Sequence, residues 1–210
     1  MGIYRDRLFP LLLGWVSRHF DDDRRRLLGE ARGRVLELGV GTGASLGFYG
    51  EAVDEVVGID HSPAVLRRAA ERLRRKEAGE AGLPHAVILA EADAQALPYD
   101  DASFDTVVAF LTLCSVPDPD EAAREIRRVL KPGGALIVLE HVRAHREGRL
   151  AAWQDRLDPI WSRAAVGCHL NRDTAAALAR AGFDTAPLER YRAPRTWRPA
   201  SPRIRGVLLA

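Results

Sequence analysis

The sequence has few cysteines and no long apolar run, and its charges nearly cancel. Cys114 and Cys168 are the only two cysteines among 210 residues, with no CxxC or Cys/His ligand spacing. Neither a disulfide framework nor a structural zinc site is therefore expected. No run of about 18 or more apolar residues is present, which argues against a membrane span. A formal net charge of +2 provides no general attraction to nucleic acid.

The first 20 residues also lack the features of a secretory signal. The apolar patch Leu8–Leu13 follows charged residues, and no small-residue cleavage site comes after it. We therefore expect a cytoplasmic protein. Arginines at 24–26 and 190–205 are expected to form solvated faces; together with the apolar patch and Trp15, they are also a candidate for peripheral contact with an anionic membrane. No aromatic platform is interleaved with these charges, so nucleic acid is not an expected partner.

Short β-type runs alternate with helical patterns along most of the chain, which indicates one α/β domain. Strands are predicted at 34–38, 55–60, 86–91, 104–111 and 135–140, with closing strands at 183–188 and 204–209. Helices are predicted from Pro63, at 120–130 and at 172–181. Near-continuous apolar runs in four of the first five strands are typical of a parallel sheet with helices on both faces. We expect a Rossmann-like three-layer sandwich with a mostly parallel, seven-stranded sheet and an N-terminal helical cap.

A glycine-rich turn, Gly39–Gly43, follows the first predicted strand and is expected to open a helix. Glycine lets the chain turn sharply and lets a ligand lie directly against the backbone. Asp60 ends the second strand, 21 positions after Gly39. A carboxylate there can accept hydrogen bonds from both ribose hydroxyls of an adenosine ligand, at the edge where open α/β sheets bind ligands. The alternative is a tight strand–helix turn without a ligand.

The turn alone does not identify the ligand, because GVGTGA also satisfies the dinucleotide fingerprint. A nicotinamide-binding redox domain therefore stays open at this point. Glu37 lies two residues before the first glycine, where a carboxylate can hold the cationic amino end of an amino-acid cofactor. The same charge would repel a pyrophosphate. Asp93–Pro98, just beyond the third strand, is a second feature that distinguishes the two ligands.

Four stretches, LELGVGTG, GIDHS, EADAQALPYDDASFDTVV and RVLKPGGALIVLE, together resemble the class I methyltransferases. More narrowly, they are similar to the branch that includes the ubiquinone/menaquinone-biosynthesis methyltransferases. The resemblance covers residues 33 to 140 and implies S-adenosylmethionine as the cofactor and S-adenosylhomocysteine as the product. It implies that the cofactor is contacted by Glu37, Gly39, Val40, Gly41, Thr42, Gly43, Asp60, His61, Asp93, Ala94, Phe110 and Leu111. Among these, the glycine turn meets the amino-acid part, Asp60 the ribose, and Asp93 with Ala94 the adenine edge.

The second half carries a narrower resemblance. LTLCSVPDPDEAAREIRRVLKPGG, LEHVRA, WQDRLDPIW and GCHLNRDT are similar to the thiol methyltransferases of the methyltransferase-like group. Those relatives are membrane-associated and methylate alkyl thiols, but they carry a hydrophobic N-terminal anchor where this chain has only a short patch. Similar bacterial sequences include phospholipid N-methyltransferases. The resemblance implies a small or lipophilic acceptor, a thiol first, with a quinone-ring carbon or a lipid amine as alternatives.

The resemblance also suggests which residues meet the acceptor. His141, at the end of the fifth strand, is a candidate base for the acceptor proton, and its alternative is a histidine held by hydrogen bonds. Trp153, Trp161 and His169 are candidates for substrate contact, with core packing as the alternative. Cys114 is expected to be a small core residue, and no metal ligands are expected. A cofactor-binding module without catalysis is a third reading of the chain.

The single domain is expected to divide into four consecutive segments. Residues 1–32 form the helical cap and 33–140 the cofactor-binding core. Residues 141–171 form an insert on the acceptor side, and 172–210 a closing helix and strands.

Overall fold

Seven strands and five α-helices alternate in the computed structural model, which describes residues 20–77, 83, 86–144, 148–194 and 196–210. The strands are β1 (Gly33–Leu38), β2 (Val53–Asp60), β3 (Ala86–Glu91), β4 (Phe104–Phe110), β5 (Leu130–His141), β6 (Glu189–Arg192) and β7 (Pro202–Leu209). The helices are α1 (Asp21–Leu28), α2 (Pro63–Glu77), α3 (Pro119–Val129), α4 (Arg149–Ala164) and α5 (Thr174–Arg180), and a 3₁₀ turn spans Arg198–Ala200.

The seven strands form one sheet in the order β3-β2-β1-β4-β5-β7-β6. Strands β1 to β5 pair in parallel, whereas β7 runs antiparallel to both of its neighbours. The predicted mostly parallel, seven-stranded sheet is therefore confirmed. Because chain order reverses between β1 and β4, the carboxyl ends of these two strands flank the topological switch point, where such sheets bind ligands.

Two apolar layers cover the sheet, one on each face. In β1 the side chains alternate: Leu36 and Leu38 point into the layer with α3 and α5, and Val35 into the layer with α1. Helix α3 begins where Asp118 accepts hydrogen bonds from the backbone of residues 120 and 121, with Pro119 at the first helical position. Helix α3 therefore has a defined start.

The glycine turn does not open a helix, contrary to the prediction. Residues 39–52 form a series of turns and bends. Gly39, Gly41 and Gly43 have φ values of +61°, +58° and +72°, which a right-handed helix cannot contain. Gly47 and Gly50 follow within seven residues, and glycine is among the weakest helix formers.

The predicted strand at 183–188 is also wrong, because β6 starts only at Glu189. Asp184 accepts a hydrogen bond from the backbone N–H of Ala186, and the N–H of Leu188 reaches the carbonyl of Thr185, so the segment is folded into turns. Pro187 within it has no N–H to donate to a neighbouring strand.

The N-terminal cap can be described only from Phe20 onward, where α1 begins at Asp21. The Leu8–Leu13 patch, Trp15 and Arg195 lie outside the described residues. Among the described helices, none is both long and apolar enough to cross a bilayer.

Candidate active site

The carboxyl ends of β2, β1, β4 and β5 lie side by side, because these strands are neighbours and run in parallel. Each end leads into residues singled out from the sequence. Asp60 ends β2, Gly39 follows β1, Leu111 follows β4, and His141 ends β5. The sheet therefore brings the predicted cofactor residues and the candidate base to one edge.

Asp60 holds the glycine turn in place. Its Oδ2 accepts a hydrogen bond from the backbone N–H of Gly41 at 3.2 Å, and its Oδ1 accepts one from the N–H of Ser62 at 2.9 Å. A carboxylate has about four acceptor positions, so two remain for the hydroxyls of a ribose.

The Val40 side chain of the glycine turn points into the core, where it occupies the space over Gly58. The turn thus offers its backbone, and not its valine side chain, to a ligand.

Glu37 lies in a closed polar pocket beneath the turn. It accepts a hydrogen bond from the Tyr49 hydroxyl at 2.9 Å, and Arg24, on α1, donates to Ser45 at 3.4 Å beside it. Burial raises the pKa of Glu37 to about 7, against the hydrogen bonds of Ser45 and Tyr49 and the charge of Arg24, which lower it. Burial also lowers the pKa of Arg24. The Glu37 carboxyl group is therefore expected to gain its negative charge near neutral pH.

The segment after β4, residues 111–118, packs directly on the glycine turn; we call it the acceptor loop. Thr112 donates from its hydroxyl to the carbonyl of Leu38 at 2.8 Å, and a Cβ added at Gly39 would lie 2.5 Å from that hydroxyl. Only glycine therefore fits beneath Thr112. Leu111 has a positive φ of +56°, which is unusual for a leucine and marks local strain at this edge.

Glu140, fully buried at the end of β5, fixes the acceptor loop. Its Oε1 accepts the backbone N–H groups of Thr112 and Leu113 at 2.8 and 2.7 Å, and its Oε2 accepts that of Cys114 at 3.0 Å. Burial raises the pKa of Glu140 to about 8, although these three N–H groups act in the opposite direction. Glu140 was not predicted as a site residue from the sequence. The feature that could have identified it is a charged residue at the end of an otherwise apolar strand.

The two cysteines, 54 positions apart in the sequence, meet at this edge. Cys114 Sγ lies 3.6 Å from Cys168 Sγ, and His141 Nδ1 lies 3.3 Å from Cys168 Sγ. The hydrogen bonds from Cys114 and His141 hold the pKa of Cys168 below its usual range, while that of Cys114 is raised by its hydrogen bond to Cys168 and by burial. Cys114 is buried as expected, but it belongs to a polar cluster and not to a purely apolar core.

The tryptophans of α4 differ in their surroundings. Trp161 is partly buried near Cys168, its indole N–H has no hydrogen-bond partner among the described residues, and its ring stacks on Trp197 with centroids 5.4 Å apart. Trp153 is 55% exposed and lies two turns earlier on the same helix. The structure therefore places Trp161, but not Trp153, beside the cluster. That Trp153 and Trp161 contact the acceptor stays a prediction for both.

His169 is placed by a buried acid. Its Nδ1 lies 2.7 Å from Asp158, whose other oxygen accepts the backbone N–H of Leu170 at 2.7 Å. The backbone N–H of His169 donates to the carbonyl of Cys114 at 2.8 Å. His169 also lines a cleft of about 570 Å³ with Pro117 and neighbouring residues. It thus borders the acceptor loop, and its contact with the substrate stays a prediction.

The predicted adenine and ribose residues lie at the outer part of the edge. His61 is 71% exposed, with Nδ1 3.6 Å from Asp60. Asp93 is exposed and accepts a hydrogen bond from the backbone N–H of Gln95 at 2.9 Å, while Ala94 beside it is buried. Phe110 is partly buried, at the end of β4. These residues end or follow neighbouring strands at the carboxyl edge of the sheet, and their contacts with the cofactor stay predictions.

Most of the described arginines in the basic clusters are exposed as expected, but three are not. Arg24 is buried, and Arg203 lies over the ring of Phe20, 4.2 Å from its centroid. Arg205 pairs with Glu189 at 2.8 Å and also with Asp23. Folding brings acids next to the basic tail that are remote in the sequence, so these arginines stabilise the junction of α1 with β6 and β7.

Comparison with known proteins finds relatives of this chain among methyltransferases. Residues 36–138 match the family model described as a methyltransferase domain. Thiol S-methyltransferase TMT1B from Homo sapiens is 31% identical over 94% of this chain and 84% of its own length. Phosphatidylethanolamine N-methyltransferase from Cereibacter sphaeroides is 42% identical over 71% of this chain and 70% of its own. The C-methyltransferase UbiE of ubiquinone/menaquinone biosynthesis from Yersinia enterocolitica is 40% identical over 53% and 44%.

Solved structures of methyltransferases have a similar fold. An S-adenosylmethionine-dependent methyltransferase from Methanosarcina mazei has a TM-score of 0.64, with 22% identity, over 84% of this chain and 91% of its own. Phosphoethanolamine N-methyltransferase 2 from Haemonchus contortus, in complex with S-adenosyl-L-methionine, has a TM-score of 0.65, with 18% identity, over 91% and 45%. The chain belongs to the class I S-adenosylmethionine-dependent methyltransferases, and it is an enzyme of that family.

The donor set of the site fits this cofactor. Two carboxylates, Glu37 and Asp60, flank the glycine turn, whose backbone a ligand can approach closely at the glycines. Such a set suits a cationic amino acid joined to a neutral ribose, whereas a pyrophosphate would meet negative charge. The nicotinamide alternative, which the glycine turn alone left open, is therefore not retained.

Binding of S-adenosylmethionine is expected to strengthen as pH rises through neutrality. Only ionised Glu37 can pair with the ammonium of the cofactor, and its pKa in the unbound protein is about 7. Affinity measured by calorimetry should therefore rise about tenfold between pH 6 and pH 8 from this group. The Glu37→Gln variant should bind S-adenosylmethionine more weakly, and its affinity should lack this increase with pH. The ligand's own ammonium titrates equally against both proteins, so the ratio of the two affinities isolates Glu37. A constant ratio across this range would contradict the assignment.

Proposed function

We propose that this enzyme transfers the methyl group of S-adenosylmethionine to the sulfur of a small or lipophilic thiol, at the edge formed by the acceptor loop, His141 and Trp161. One observation carries the proposal. The sequence segments similar to thiol methyltransferases lie far apart in the chain, yet three of them bring Cys114, His141 and Cys168 together. The two sulfur atoms and a ring nitrogen of the histidine lie within 4.8 Å of one another. The relatives named thiol S-methyltransferase TMT1B match over most of the chain, which supports the same acceptor.

Methyl transfer from a sulfonium requires alignment more than bond activation. S-adenosylmethionine supplies an electrophilic methyl group and leaves as the neutral thioether S-adenosylhomocysteine. Glu37 and Asp60 are proposed to fix its amino and ribose ends, so that the methyl group faces the acceptor loop. Glu140 holds that loop through three backbone N–H groups, and Trp161 provides an apolar wall that excludes water. The protein thus contributes chiefly orientation.

The acceptor proton needs a destination, since a thiol is mostly protonated at neutral pH. His141 Nε2 is buried and has no hydrogen-bond partner among the described residues, so the ring is free to act at this edge. The base role predicted for His141 is consistent with this placement. It stays a prediction, as does the substrate contact of His169.

A lipid amine is the second candidate acceptor. The relative from Cereibacter sphaeroides, named phosphatidylethanolamine N-methyltransferase, has the higher identity, 42%, although it covers less of this chain than TMT1B does. A quinone-ring carbon is less well supported, because the matches to UbiE cover only about half of the chain. Peripheral membrane contact would accompany a lipid acceptor and is proposed only with it.

The test is transfer of a radiolabelled methyl group from S-adenosylmethionine to three acceptors: an alkyl thiol, phosphatidylethanolamine in vesicles, and a reduced quinone. We expect kcat/KM for the thiol to exceed those for the other two by at least about tenfold, which corresponds to 1.4 kcal/mol of transition-state binding. The alcohol with the same alkyl chain is the matched control and should stay unlabelled. Preferential labelling of the lipid would replace the thiol by the second candidate, and labelled alcohol would show that sulfur is not selected.

A further inference from the structure

We propose that Cys114, His141 and Cys168 bind a zinc ion, and that the fourth position of this ion takes the sulfur of the acceptor. The inference deepens the proposed function and rests on it for the identity of the acceptor. The metal site itself stands on geometry alone.

Two distances within the cluster are close to the edges of a zinc tetrahedron. Zinc binds thiolate sulfur at about 2.3 Å and imidazole nitrogen at about 2.0–2.1 Å, so tetrahedral angles place two sulfurs about 3.8 Å apart and a sulfur about 3.6 Å from a nitrogen. The two Sγ atoms lie 3.6 Å apart, and His141 Nδ1 lies 3.3 Å from the Sγ of Cys168. All three ligand atoms lie within 4.8 Å of one another. Little movement is needed to close them around one ion.

The chemistry of the ligands selects the metal. Two thiolates and one imidazole are soft and borderline ligands that favour zinc, whereas magnesium and calcium require oxygen. Three protein ligands with one open position are the pattern of catalytic zinc sites, and structural sites are closed by four. No fourth histidine, cysteine or acid joins the cluster among the described residues. The set is therefore that of a site that binds a further ligand.

The surrounding protein holds two of the ligands firmly. Cys114 is on the acceptor loop, and its backbone N–H donates to Glu140. Cys168 follows α4 and is anchored by its own N–H, which donates to the carbonyl of Ala165 at 3.2 Å. Beyond the facing thiol, the described residues give the ring of His141 no hydrogen bond, since its Nε2 is buried without a partner. The fold thus brings the imidazole to the sulfurs without using it elsewhere.

Zinc would replace a base in activating the acceptor. The thiol binds as a thiolate and releases its proton to solvent. Its sulfur then forms a bond to the methyl carbon as the sulfonium carbon–sulfur bond breaks. The electron pair of that bond goes to the leaving sulfur, which becomes a neutral thioether, and zinc stays divalent throughout. His141 is then a metal ligand, and its predicted role as base falls away.

The experiment is metal binding by the full chain, which does not require methyl transfer. Protein stripped by chelator under a reducing atmosphere is dialysed against zinc, and bound metal is measured by mass spectrometry. We expect one equivalent per chain. Cobalt in place of zinc should give a thiolate-to-cobalt charge-transfer band in the near ultraviolet.

Three conservative variants test the ligands: Cys114→Ser, Cys168→Ser and His141→Asn. Each should lower zinc affinity by more than about 100-fold, because changes to residues that merely orient a ligand already cost 10- to 100-fold. Asp54→Asn, which changes an exposed potential metal ligand outside the cluster, is the control and should keep one equivalent. Retained S-adenosylhomocysteine binding shows that a variant is folded.

The outcomes separate the site from the function. Substoichiometric zinc in the wild-type chain, or unchanged zinc affinity in all three variants, would overturn the metal site even if thiols are methylated. Recovery of the two thiols as a disulfide, with no metal bound, would also overturn it; the chain has only these two cysteines, so thiol titration reports on this cluster alone. One equivalent of zinc together with methylation of a lipid amine would leave the site standing and refute the thiol acceptor.

Discussion

Asp60→Ala is expected to weaken binding of S-adenosylmethionine by about 100-fold. The carboxylate is placed to accept hydrogen bonds from two ribose hydroxyls, and two such charge-assisted bonds contribute about 3 kcal/mol together. The same side chain ties the backbone N–H groups of Gly41 and Ser62, so its loss also loosens the turn on which the cofactor lies. Isothermal titration with S-adenosylmethionine measures the effect directly.

Asp54→Ala is the matched control, because Asp54 is an exposed acid on the same strand, β2. Its affinity should equal that of the wild-type chain. Asp60→Asn should fall between the two, since the amide keeps one acceptor oxygen. An Asp60→Ala chain that binds the cofactor with unchanged affinity would show that the ribose lies elsewhere.

Glu140→Gln is expected to lower the free energy of unfolding by about 2–3 kcal/mol and to abolish most methyl transfer. The amide has one acceptor oxygen where the carboxyl group has two, and its NH₂ group would face a backbone N–H. At least one buried N–H of the acceptor loop would then lack a partner, at about 1–3 kcal/mol for each group. Urea unfolding measures the stability, and hydrogen exchange at Thr112, Leu113 and Cys114 locates the change.

The exposed Glu121, which pairs with Arg124 on α3, is the control for this variant. Glu121→Gln should stay within about 0.5 kcal/mol of wild type, because exposed ion pairs contribute little. If Glu140→Gln were as stable as Glu121→Gln, the three N–H groups would not depend on the carboxylate. Faster exchange confined to other parts of the chain would lead to the same conclusion.

The parallel half of the sheet was predictable because its strands are apolar runs with clear ends. Residues 86–91 match β3, and the predicted ends of β1 and β2 are confirmed at Leu38 and Asp60. From strand order alone, Gly39 and Asp60 had to meet at one edge. The family and its cofactor followed from motifs at these ends, and the comparisons confirm both.

Contacts between distant segments were not predictable. Nothing in the spacing of Cys114 and Cys168 indicates that α4 returns the chain to the end of β5. Arg24 was read as part of a basic run, yet it is buried beside Glu37, because one face of α1 packs on the sheet. The missing helix after Gly43 has a local cause, since closely spaced glycines at positive φ outweigh the usual strand–helix pattern.

The contact of Thr112 with Gly39 has a kinetic consequence. It joins the turn proposed to hold the methyl donor to the loop that carries Cys114, so the two parts of the proposed site are in direct contact. The entropy of ordering the turn and the loop relative to each other is then lost when the chain folds, and not at each turnover. Effective concentrations of about 10⁵–10⁸ M become accessible to well-oriented groups under such conditions. A side chain at position 39 would push the loop away from the turn and so lower the effective concentration of the two reactants, although every chemical group of the site would still be present.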